Sequence, residues 1–498
     1  MILPPVSKRE RNQDTFLNRN LIIRTLGLVL LFEAGAMLPS LFISLYFWEN
    51  DLKAFLYSIA LLALPGFFLY LVRVKDTNVG YREGFAIATM TWVITAAFGG
   101  IPFLLSESVP TFYDAFFESM SGFTTTGASV ITDVEALPHG IQFWRSFTHW
   151  LGGMGTIVLI LALIPSLKIA GMQLYKAEVP GPTKSKVLPR ILQATRQLWK
   201  VYVIITAAEV ILLVLAGMSL FDSFIHTFGS VGTGGFSNKN ASVGAYNSQA
   251  IEAIIIIFMI ICGMNFALHY AALRGNFRSL LHDPETRLYL GIIAVSSLLI
   301  TFNLSNSAGH STGEALRSSL FTVASVITTT GYATADFDRW PDFSRYILLL
   351  LMFVGGCAGS TGGAIKNIRF LILFKSASRQ LLKLLHPQAV VPVRLGREVI
   401  PDEVVDNVQT FFFLYMFIFL ASTLYITSLG LDLLSAASSV AATLGNIGPG
   451  LGLVGPMTNY AALPASAKIL LSFCMLIGRL EIYTVLVVFS LRFWGKGR

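Results

Sequence analysis

Charged side chains are scarce in this sequence: Asp, Glu, Lys and Arg together make up only 13% of its 498 residues. A soluble protein would have about a quarter of its residues charged. Hydrophobic residues account for 54% of the chain, and the mean hydropathy is +0.66. This shortage of charge excludes an ordinary soluble protein and predicts a chain that crosses a membrane several times.

Cysteine is equally rare, and Cys262, Cys357 and Cys474 all lie in apolar surroundings. Their number and placement predict buried thiols and argue against a disulfide framework or a metal cluster. A secretory signal is also missing, since the first twenty residues contain neither an apolar stretch nor a small-residue cleavage site. The first membrane span is therefore expected to be retained.

Long apolar blocks are what the sequence has in abundance. A helix needs about 20 residues to cross a bilayer, and on that criterion we expect roughly ten crossings. A transmembrane β-barrel would instead have short strands of alternating hydrophobicity. Block 84–104 is weaker than the others and block 344–374 is interrupted, whereas the clear blocks are 21–47, 53–72, 142–164, 201–220, 251–273, 286–303, 408–428 and 467–493.

The net charge of +8 is unevenly distributed along the chain. Segments 165–200 and 366–407 are rich in Lys and Arg, whereas 131–139 and 332–342 lean acidic. Because basic loops mark the cytoplasmic side, this pattern indicates membrane topology and argues against nucleic-acid binding. The segments predicted to be cytoplasmic are 1–20, 73–83, 165–200, 274–287, 366–407 and the C-terminal tail.

A polar cluster rich in threonine and glycine recurs four times between apolar blocks. The clusters are TTTGAS (124–129), GTGGFS (232–237), TTTGYA (328–333) and GNIGPG (445–450). Aligned, they place Gly127, Gly235, Gly331 and Gly448 in register, about 100 residues apart. This period is too long for a solenoid unit and fits a repeated membrane module. The segments that follow the clusters are predicted to lie outside.

A short, half-polar segment of helical character precedes each cluster, and each begins near an acid that complements the positive end of the helix dipole. These acids are Asp114, Asp222, Glu314 and Asp432. The segments are too short to cross a bilayer. The repeated unit is therefore predicted to be a spanning helix, a pore helix that enters and turns back, a polar loop and a second spanning helix.

The predicted fold class is an all-α polytopic membrane protein, with four tandem helix–pore-helix–filter-loop–helix modules around a pseudo-fourfold pore. Two further transmembrane helices precede the repeat. The predicted units are 1–78 for the N-terminal helix pair and 79–170, 171–280, 281–380 and 381–498 for pore modules 1 to 4, with the second helix of module 3 broken.

Backbone that is not helical is tolerated at membrane depth only where it is buried in protein or lines a water-filled cavity. Four such loops around one axis would direct carbonyl oxygens at a central cation and replace part of its hydration shell. Glycine suits this position because it adopts unusual φ angles and permits close backbone approach. The threonine hydroxyls would add oxygen ligands or fix the loops in place.

With these four clusters the chain resembles the Trk/Ktr/HKT superfamily of potassium transport proteins, and its length and two extra N-terminal helices are most similar to the bacterial Trk membrane subunits. The resemblance covers essentially the whole chain. It implies a potassium selectivity filter, with glycine at position 127 favouring potassium over sodium. The filter residues it implies are Thr124, Thr125, Thr126, Gly127, Gly232, Thr233, Gly234, Gly235, Thr328, Thr329, Thr330, Gly331, Gly445, Asn446, Ile447 and Gly448. The fourth cluster lacks threonine and has Pro449 after its glycine, so an imperfectly symmetric filter is expected.

Two features of the sequence suggest gating. Segment 346–374 is an apolar span with a run of glycine and polar residues in its middle, which exceeds what close helix packing requires. Arg479 and Glu481 lie within the last apolar block, where buried charge is costly and faces a cavity or a partner. Because residues two apart on a helix do not face each other, different partners are expected for these two. The resemblance implies a gate below the filter and an arginine, Arg479, that points at the pore as an electrostatic barrier, although an arginine within a membrane can also pair with a helix end. The residues it implies for gating are Gly355, Gly356, Gly359, Ser360, Thr361, Gly362, Gly363, Lys366 and Arg479.

The resemblance also implies assembly and location: a homodimer in a bacterial inner membrane, both termini cytoplasmic, with a cytosolic ring of TrkA-type nucleotide-binding regulatory subunits. Potassium would be the transported ion, and membrane lipid would surround the protein. No organic cofactor, enzyme activity or nucleic-acid binding is expected. A channel-like mechanism and a proton-coupled symport mechanism both fit these residues.

Other functions make different predictions. A secondary transporter with a midplane site for another cation or small solute would consist of two inverted halves, whereas the sequence has four parallel modules. A membrane enzyme would need a cluster of His, Asp or Glu at one interface, and no nucleotide motif is present. The potassium-binding subunit of a P-type ATPase shares the module but is larger and has different filter sequences.

Overall fold

The structure is a computed structural model that describes residues 17–75, 80–155, 188–307, 309, 311–396 and 398–494. The boundary predicted between modules 1 and 2, most of the basic segment 165–200 and the end of block 142–164 lie outside the described residues. So does most of the predicted cytoplasmic segment 1–20. Apart from a two-stranded antiparallel ribbon, β1 (Arg394–Leu395) and β2 (Glu398–Val399), the regular structure described is helical.

Three helices precede the repeat: α1 (Arg19–Ala36), α2 (Leu38–Phe47) and α3 (Leu52–Tyr70). Helices α1 and α3 approach closely at two glycines, since a Cβ atom on Gly27 would lie 2.6 Å from the backbone nitrogen of Tyr70 and one on Gly66 would lie 3.1 Å from the carbonyl oxygen of Gly27. Small residues at such crossings are typical of helices that pack in a membrane.

Each of the ranges predicted for modules 1 to 4 contains several helices, and a helix that crosses a predicted boundary is assigned to the module in which it begins. Module 1 contributes α4 (Tyr81–Gly99), α5 (Ile101–Leu105), α6 (Phe112–Phe123) and α7 (His139–Gly153). Module 2 contributes α8 (Leu188–Leu215), α9 (Leu220–Gly232), α10 (Gln249–Cys262), α11 (Phe266–Leu273) and α12 (Phe277–His282). Module 3 contributes α13 (Pro284–Ser307), α14 (Thr312–Ile327), α15 (Asp342–Leu351) and α16 (Asn367–Leu385). Module 4 contributes α17 (Asp402–Ser428), α18 (Leu433–Leu444), α19 (Ala465–Leu480), α20 (Ile482–Phe489) and α21 (Leu491–Trp494).

The predicted membrane spans correspond well to these helices. Six helical segments of the described chain are long and apolar enough to cross a membrane, and the number rises to eight if each of two bent helix pairs is counted as one span. The remaining two predicted blocks are 142–164, which leaves the described residues, and 344–374, which is divided between α15 and α16. The chain is thus an all-α multi-pass membrane protein, and this part of the predicted fold class is confirmed.

Four short helices, α6, α9, α14 and α18, precede the four polar clusters, and a side chain caps each of them. In three the cap hydroxyl accepts a hydrogen bond from the N–H of the acid three positions later, in the pairs Thr111–Asp114, Ser219–Asp222 and Ser311–Glu314. The fourth acid is itself the cap: Asp432 accepts from the N–H of Ser435 at 3.0 Å. Hydrogen bonds from the Ser435 side chain and backbone hold the pKa of Asp432 below its ordinary value.

The second spanning helix is broken in modules 2, 3 and 4, although the sequence predicted a break in module 3 alone. Helices α10 and α11 are bent by 103° and α19 and α20 by 120°, so the prediction of continuous spans at 251–273 and 467–493 was wrong. At the first break Asn265 caps α11 by accepting a hydrogen bond from the N–H of Ala267 at 2.9 Å. At the second, Glu481 has a φ of 62°. Arg479 and Glu481 therefore lie at a helix break and not inside a continuous span.

The three cysteines are free and buried, as expected from their apolar surroundings.

Candidate functional site

The four polar clusters form loops that share one backbone conformation. We call them loop 1 (124–127), loop 2 (232–235), loop 3 (328–331) and loop 4 (445–448). In every loop the second and the fourth residues have positive φ, and the fourth is the glycine aligned from the sequence. The N–H of the third residue bonds to the carbonyl five residues earlier, for example Thr126 to Ser121 at 2.8 Å. The chain thus turns sharply out of each short helix in the same way.

The loops meet in a closed ring. A Cβ atom built on the fourth glycine of any loop would collide with the carbonyl oxygen of the third residue in the next loop, and loop 4 closes onto loop 1. The glycine–carbonyl pairs are Gly127–Gly234, Gly235–Thr330, Gly331–Ile447 and Gly448–Thr126. Only glycine permits both this φ and this approach. The sixteen residues predicted for the filter therefore lie together, around one axis.

The threonine hydroxyls mainly hold the loops in shape. In loop 1 the hydroxyls of Thr124 and Thr126 lie 2.8 Å apart, and Thr124 also donates to the carbonyl of Met120 at 2.6 Å. Loop 3 repeats the first of these contacts between Thr328 and Thr330 at 2.8 Å. The sequence left open whether the threonine hydroxyls supply oxygen ligands or fix the loops. These four hydroxyls fix the loops.

Loop 4 departs from the other three. The side-chain nitrogen of Asn446 donates to the Thr126 hydroxyl at 2.9 Å and to the carbonyl of Met475 at 3.0 Å. The carbonyl of Gly448 accepts a hydrogen bond from the hydroxyl of Tyr460 at 2.8 Å. A carbonyl engaged in this way is less available to a cation on the axis, so the ring is asymmetric at its fourth member.

Residues 352–366 interrupt the second helix of module 3 and fold back as a loop, which we call the interrupting loop. Its two ends pair with each other, since the N–H of Gly355 donates to the carbonyl of Ile365 at 3.0 Å and the N–H of Ile365 donates to the carbonyl of Phe353 at 3.2 Å. Glu285 accepts from the N–H of Ala358 at 2.7 Å and from the N–H of Ile368 at 2.9 Å. One carboxylate thus connects this loop to α16.

The interrupting loop lies directly against the second residues of loops 3 and 4. The N–H of Gly363 donates to the hydroxyl of Thr329 at 2.7 Å, and a Cβ atom on Gly363 would lie 2.8 Å from the Cβ of Asn446. Towards module 2, the Thr361 hydroxyl donates to the carbonyl of Val231 at 3.1 Å, and the N–H of Cys357 donates to the carbonyl of Gly263 at 2.8 Å. The loop therefore contacts three modules at one end of the ring.

Two cations hold the interrupting loop. Lys366, the residue immediately before α16, is buried and donates from Nζ to the carbonyl of Gly362 and to the hydroxyl of Ser360. Arg479 donates to the carbonyl of Thr361 at 2.7 Å and to the carbonyls of Gly152 and Gly153 at 2.5 and 3.0 Å. Arg479 thus connects the loop to module 1. The structure brings all nine residues predicted for the gate into one cluster.

Sequence reasoning missed the partner of Glu481. Its carboxylate binds Arg369 of α16 at 2.5 Å, so the two charges of the last block do have different partners. Glu285, Tyr460 and Asn265 were also missed. Asn265 had a signal, an isolated asparagine within the apolar block 251–273, whereas Glu285 lies in a segment predicted to be cytoplasmic and Tyr460 lies between two apolar blocks. Among the described residues no group of three or more His, Cys, Asp or Glu side chains could hold a metal ion.

Comparisons with known proteins identify the relatives of this chain. The family model described as "TrkH: Cation transport protein" matches residues 50–495. The Trk system potassium uptake protein TrkH of Salmonella typhimurium is 41% identical over 95% of this chain and 99% of its own length. TrkG of Escherichia coli is 36% identical over 92% of this chain and 95% of its own.

A solved structure shows the same fold. The crystal structure of the potassium transporter TrkH from Vibrio parahaemolyticus matches with a TM-score of 0.87 at 36% identity, over 96% of this chain and 100% of that one. These names describe transport proteins and agree with the prediction that the chain is not an enzyme. The family match and the identity along nearly the whole length lead to one conclusion: the chain belongs to the TrkH family of cation transport proteins.

Proposed function

We propose that this chain is the membrane subunit of a potassium uptake system and that potassium passes through the ring formed by loops 1 to 4. The observation that carries the proposal is the ring itself, in which each loop glycine touches a carbonyl of the next loop. Backbone carbonyls arranged in this way replace the hydration shell of a cation. The named function of the relatives, potassium uptake, agrees with this chemistry.

The main alternative is a secondary transporter with two inverted halves and a midplane site. Four loops of equal backbone conformation in one closed ring favour the pore. Two halves related by inversion would not place four equivalent glycines around a single axis.

The proposal is tested by flux into liposomes with potassium or sodium as the permeant cation. Gly127→Ser introduces a Cβ atom that collides with the carbonyl of Gly234 at a φ of +80°, so we expect loops 1 and 2 to separate and potassium selectivity to fall. Gly217→Ser is the matched control, because Gly217 has a φ of +95° with no other atom within 4 Å of its Cβ position. Potassium flux in the wild type and the control, with relaxed selectivity in Gly127→Ser, supports the proposal. A folded, inserted wild type that excludes potassium contradicts it.

We further propose that the interrupting loop is the gate, with Lys366 and Arg479 holding it closed below the filter. The contacts of these two cations with Gly362 and Thr361 support this role. The assembly that fits is a homodimer in a bacterial inner membrane, with cytoplasmic termini and a TrkA-type nucleotide-binding subunit on the basic inner loops. The names of the relatives refer to a Trk system, which agrees with an assembly of more than one component.

A further inference from the structure

Beyond the loop glycines, the segments that leave the ring are held by contacts between neighbouring modules. Each segment bonds to the module that precedes it around the ring. The four contacts are Tyr460 N to Ser129 O at 2.8 Å, Arg145 Nη1 to Ser237 O at 2.9 Å, Gly244 N to Ala333 O at 3.2 Å and Gly452 N to Asp338 Oδ1 at 3.0 Å. We call these four contacts the interloop belt. It lies at the opposite end of the loops from the interrupting loop.

The contact between modules 1 and 2 differs from the others, because the side chain that makes it is both charged and buried, whereas Asp338 is partly exposed and the other two contacts join backbone atoms. Arg145 of α7 is 4% exposed. Its Nε donates to the carboxylate of Glu118 at 2.6 Å and its Nη1 to the carbonyl of Ser237 at 2.9 Å. Its guanidinium carbon also lies 3.7 Å from the centre of the ring of Phe236, the residue that follows the loop 2 glycine. Arg145 thus contacts two successive residues, Phe236 and Ser237, at the point where the chain leaves loop 2.

Glu118 extends the same contact to loop 1. This side chain is fully buried and accepts from the Ser129 hydroxyl at 3.0 Å and from the N–H of Val130 at 2.9 Å. Ser129 and Ser237 occupy equivalent positions in the segments that follow loops 1 and 2, each two residues after the loop glycine. The Glu118–Arg145 pair therefore fixes the distance between equivalent points of loops 1 and 2.

We propose that Arg145 is a positioning residue for ion selectivity: it holds loops 1 and 2 at the separation that suits potassium, without touching the ion. This inference rests on the proposed function, since it assigns a selectivity role within the proposed filter. A planar guanidinium directs donors from separate nitrogens to Glu118 and Ser237 together, whereas the three donors of an ammonium all belong to one nitrogen and do not match this fork. The loss of either bond lets the two loops relax apart and admit a differently sized cation.

The test compares Arg145→Gln and Arg145→Lys with the wild type in the full-length protein. Arg145→Gln leaves Glu118 buried without its cation, so its folding is checked first, and Arg145→Lys keeps the charge beside Glu118 while losing the second donor direction. For the folded variants we expect the potassium-to-sodium flux ratio to fall about tenfold, the effect of losing one charge-assisted hydrogen bond. The matched control is Arg317→Gln, which breaks an ion pair with Glu252 of the same 2.6 Å length away from the four loops. Its flux ratio should stay at the wild-type value even if its melting temperature falls.

A second readout separates this inference from the proposed function. Hydrogen–deuterium exchange of segments 126–131 and 234–238 should quicken in Arg145→Lys and stay unchanged in Arg317→Gln, whether or not flux is measurable. A wild type without potassium flux defeats the proposed function alone. An unchanged flux ratio in Arg145→Lys, or unchanged exchange in both segments, overturns the positioning role of Arg145.

Discussion

At the scale of single residues, the most unusual feature is β-branched threonine with positive φ. Thr125, Thr233 and Thr329 have φ angles of 53°, 56° and 60°, a conformation that β-branched residues rarely adopt. Asn446, which more readily tolerates it, takes the same place in loop 4 with a φ of 53°. Strain of about 1–3 kcal/mol at such a position persists only when surrounding contacts determine it. This is the behaviour expected of loops whose shape is set by function.

The Thr329 hydroxyl gives the first prediction at this scale. It accepts the N–H of Gly363, so Thr329→Val should leave that buried donor unpaired and destabilise the protein by about 1–3 kcal/mol. Potassium leak through the unstimulated protein should also rise, because the interrupting loop loses its contact with loop 3. Thermal unfolding in detergent and basal flux are the measurements.

Thr125→Val is the matched control for stability. Within the described structure the Thr125 hydroxyl is buried without a hydrogen-bond partner, so its removal should leave the melting temperature nearly unchanged. Equal destabilisation by the two valine variants would show that the Thr329–Gly363 bond contributes nothing.

The sequence was sufficient to predict the loop glycines and insufficient to predict the threonine conformation. Glycine between polar residues in four apolar contexts indicates close backbone approach directly. A threonine with positive φ contradicts local preference and is imposed by contacts distant in sequence. The Thr329–Gly363 bond joins residues 34 positions apart, and the Asn446–Thr126 bond joins residues 320 apart.

At the scale of elements, hydrogen bonds from several modules hold the interrupting loop, and those of Lys366 are prominent among them. Lys366→Met keeps the length of the stem and removes the donors to Gly362 and Ser360. We expect basal potassium flux to increase several-fold, because the loop opens more easily. Lys375→Met is the control: this exposed lysine lies on the same helix α16 and donates from Nζ to the backbone carbonyl of Arg394, outside the loop. If both variants leak equally, the effect belongs to the helix and not to the loop.

The break between α19 and α20 provides a second test at this scale. The backbone of Glu481 has a φ of 62°, and the carboxylate of this residue pairs with Arg369. Since removing one partner leaves a buried charge unpaired, Glu481→Gln should cost about 3–5 kcal/mol. Replacing both partners, Glu481→Gln with Arg369→Met, should recover part of this loss. A double-mutant cycle of unfolding free energies measures the coupling, and additive losses would refute it.

Helix existence was predictable from the sequence, whereas helix continuity was not. The residues on both sides of Asn265 and Glu481 are apolar enough to read as one span each. The break after α10 depends on the carbonyl of Gly263, which accepts from Cys357 in another module. In module 3 the run of glycine residues was long enough to reveal the interruption directly.

At the scale of the whole molecule, the last spanning helix must close against the first module. Lys468 of α19 pairs with Asp114 of α6 at 2.6 Å, and both side chains are less than a tenth exposed. Lys468→Met should therefore destabilise the protein by about 3–5 kcal/mol, and addition of Asp114→Asn should restore much of it. Arg339→Met, which breaks an exposed pair with Asp336, should change stability by less than about 1 kcal/mol. Chemical or thermal unfolding of the three variants tests this, and equal losses from the buried and the exposed pair would contradict it.

The four loops share one backbone course, but each has its own side chains, and all four lie in a single polypeptide. In a pore assembled from four copies of one gene product, every mutation appears in all four quadrants at once. In this chain a mutation alters one quadrant and leaves three intact. The quadrants can therefore differ from one another: one has the long interruption at 352–366 and another has Asn446 and Pro449, while all four keep the glycine with positive φ.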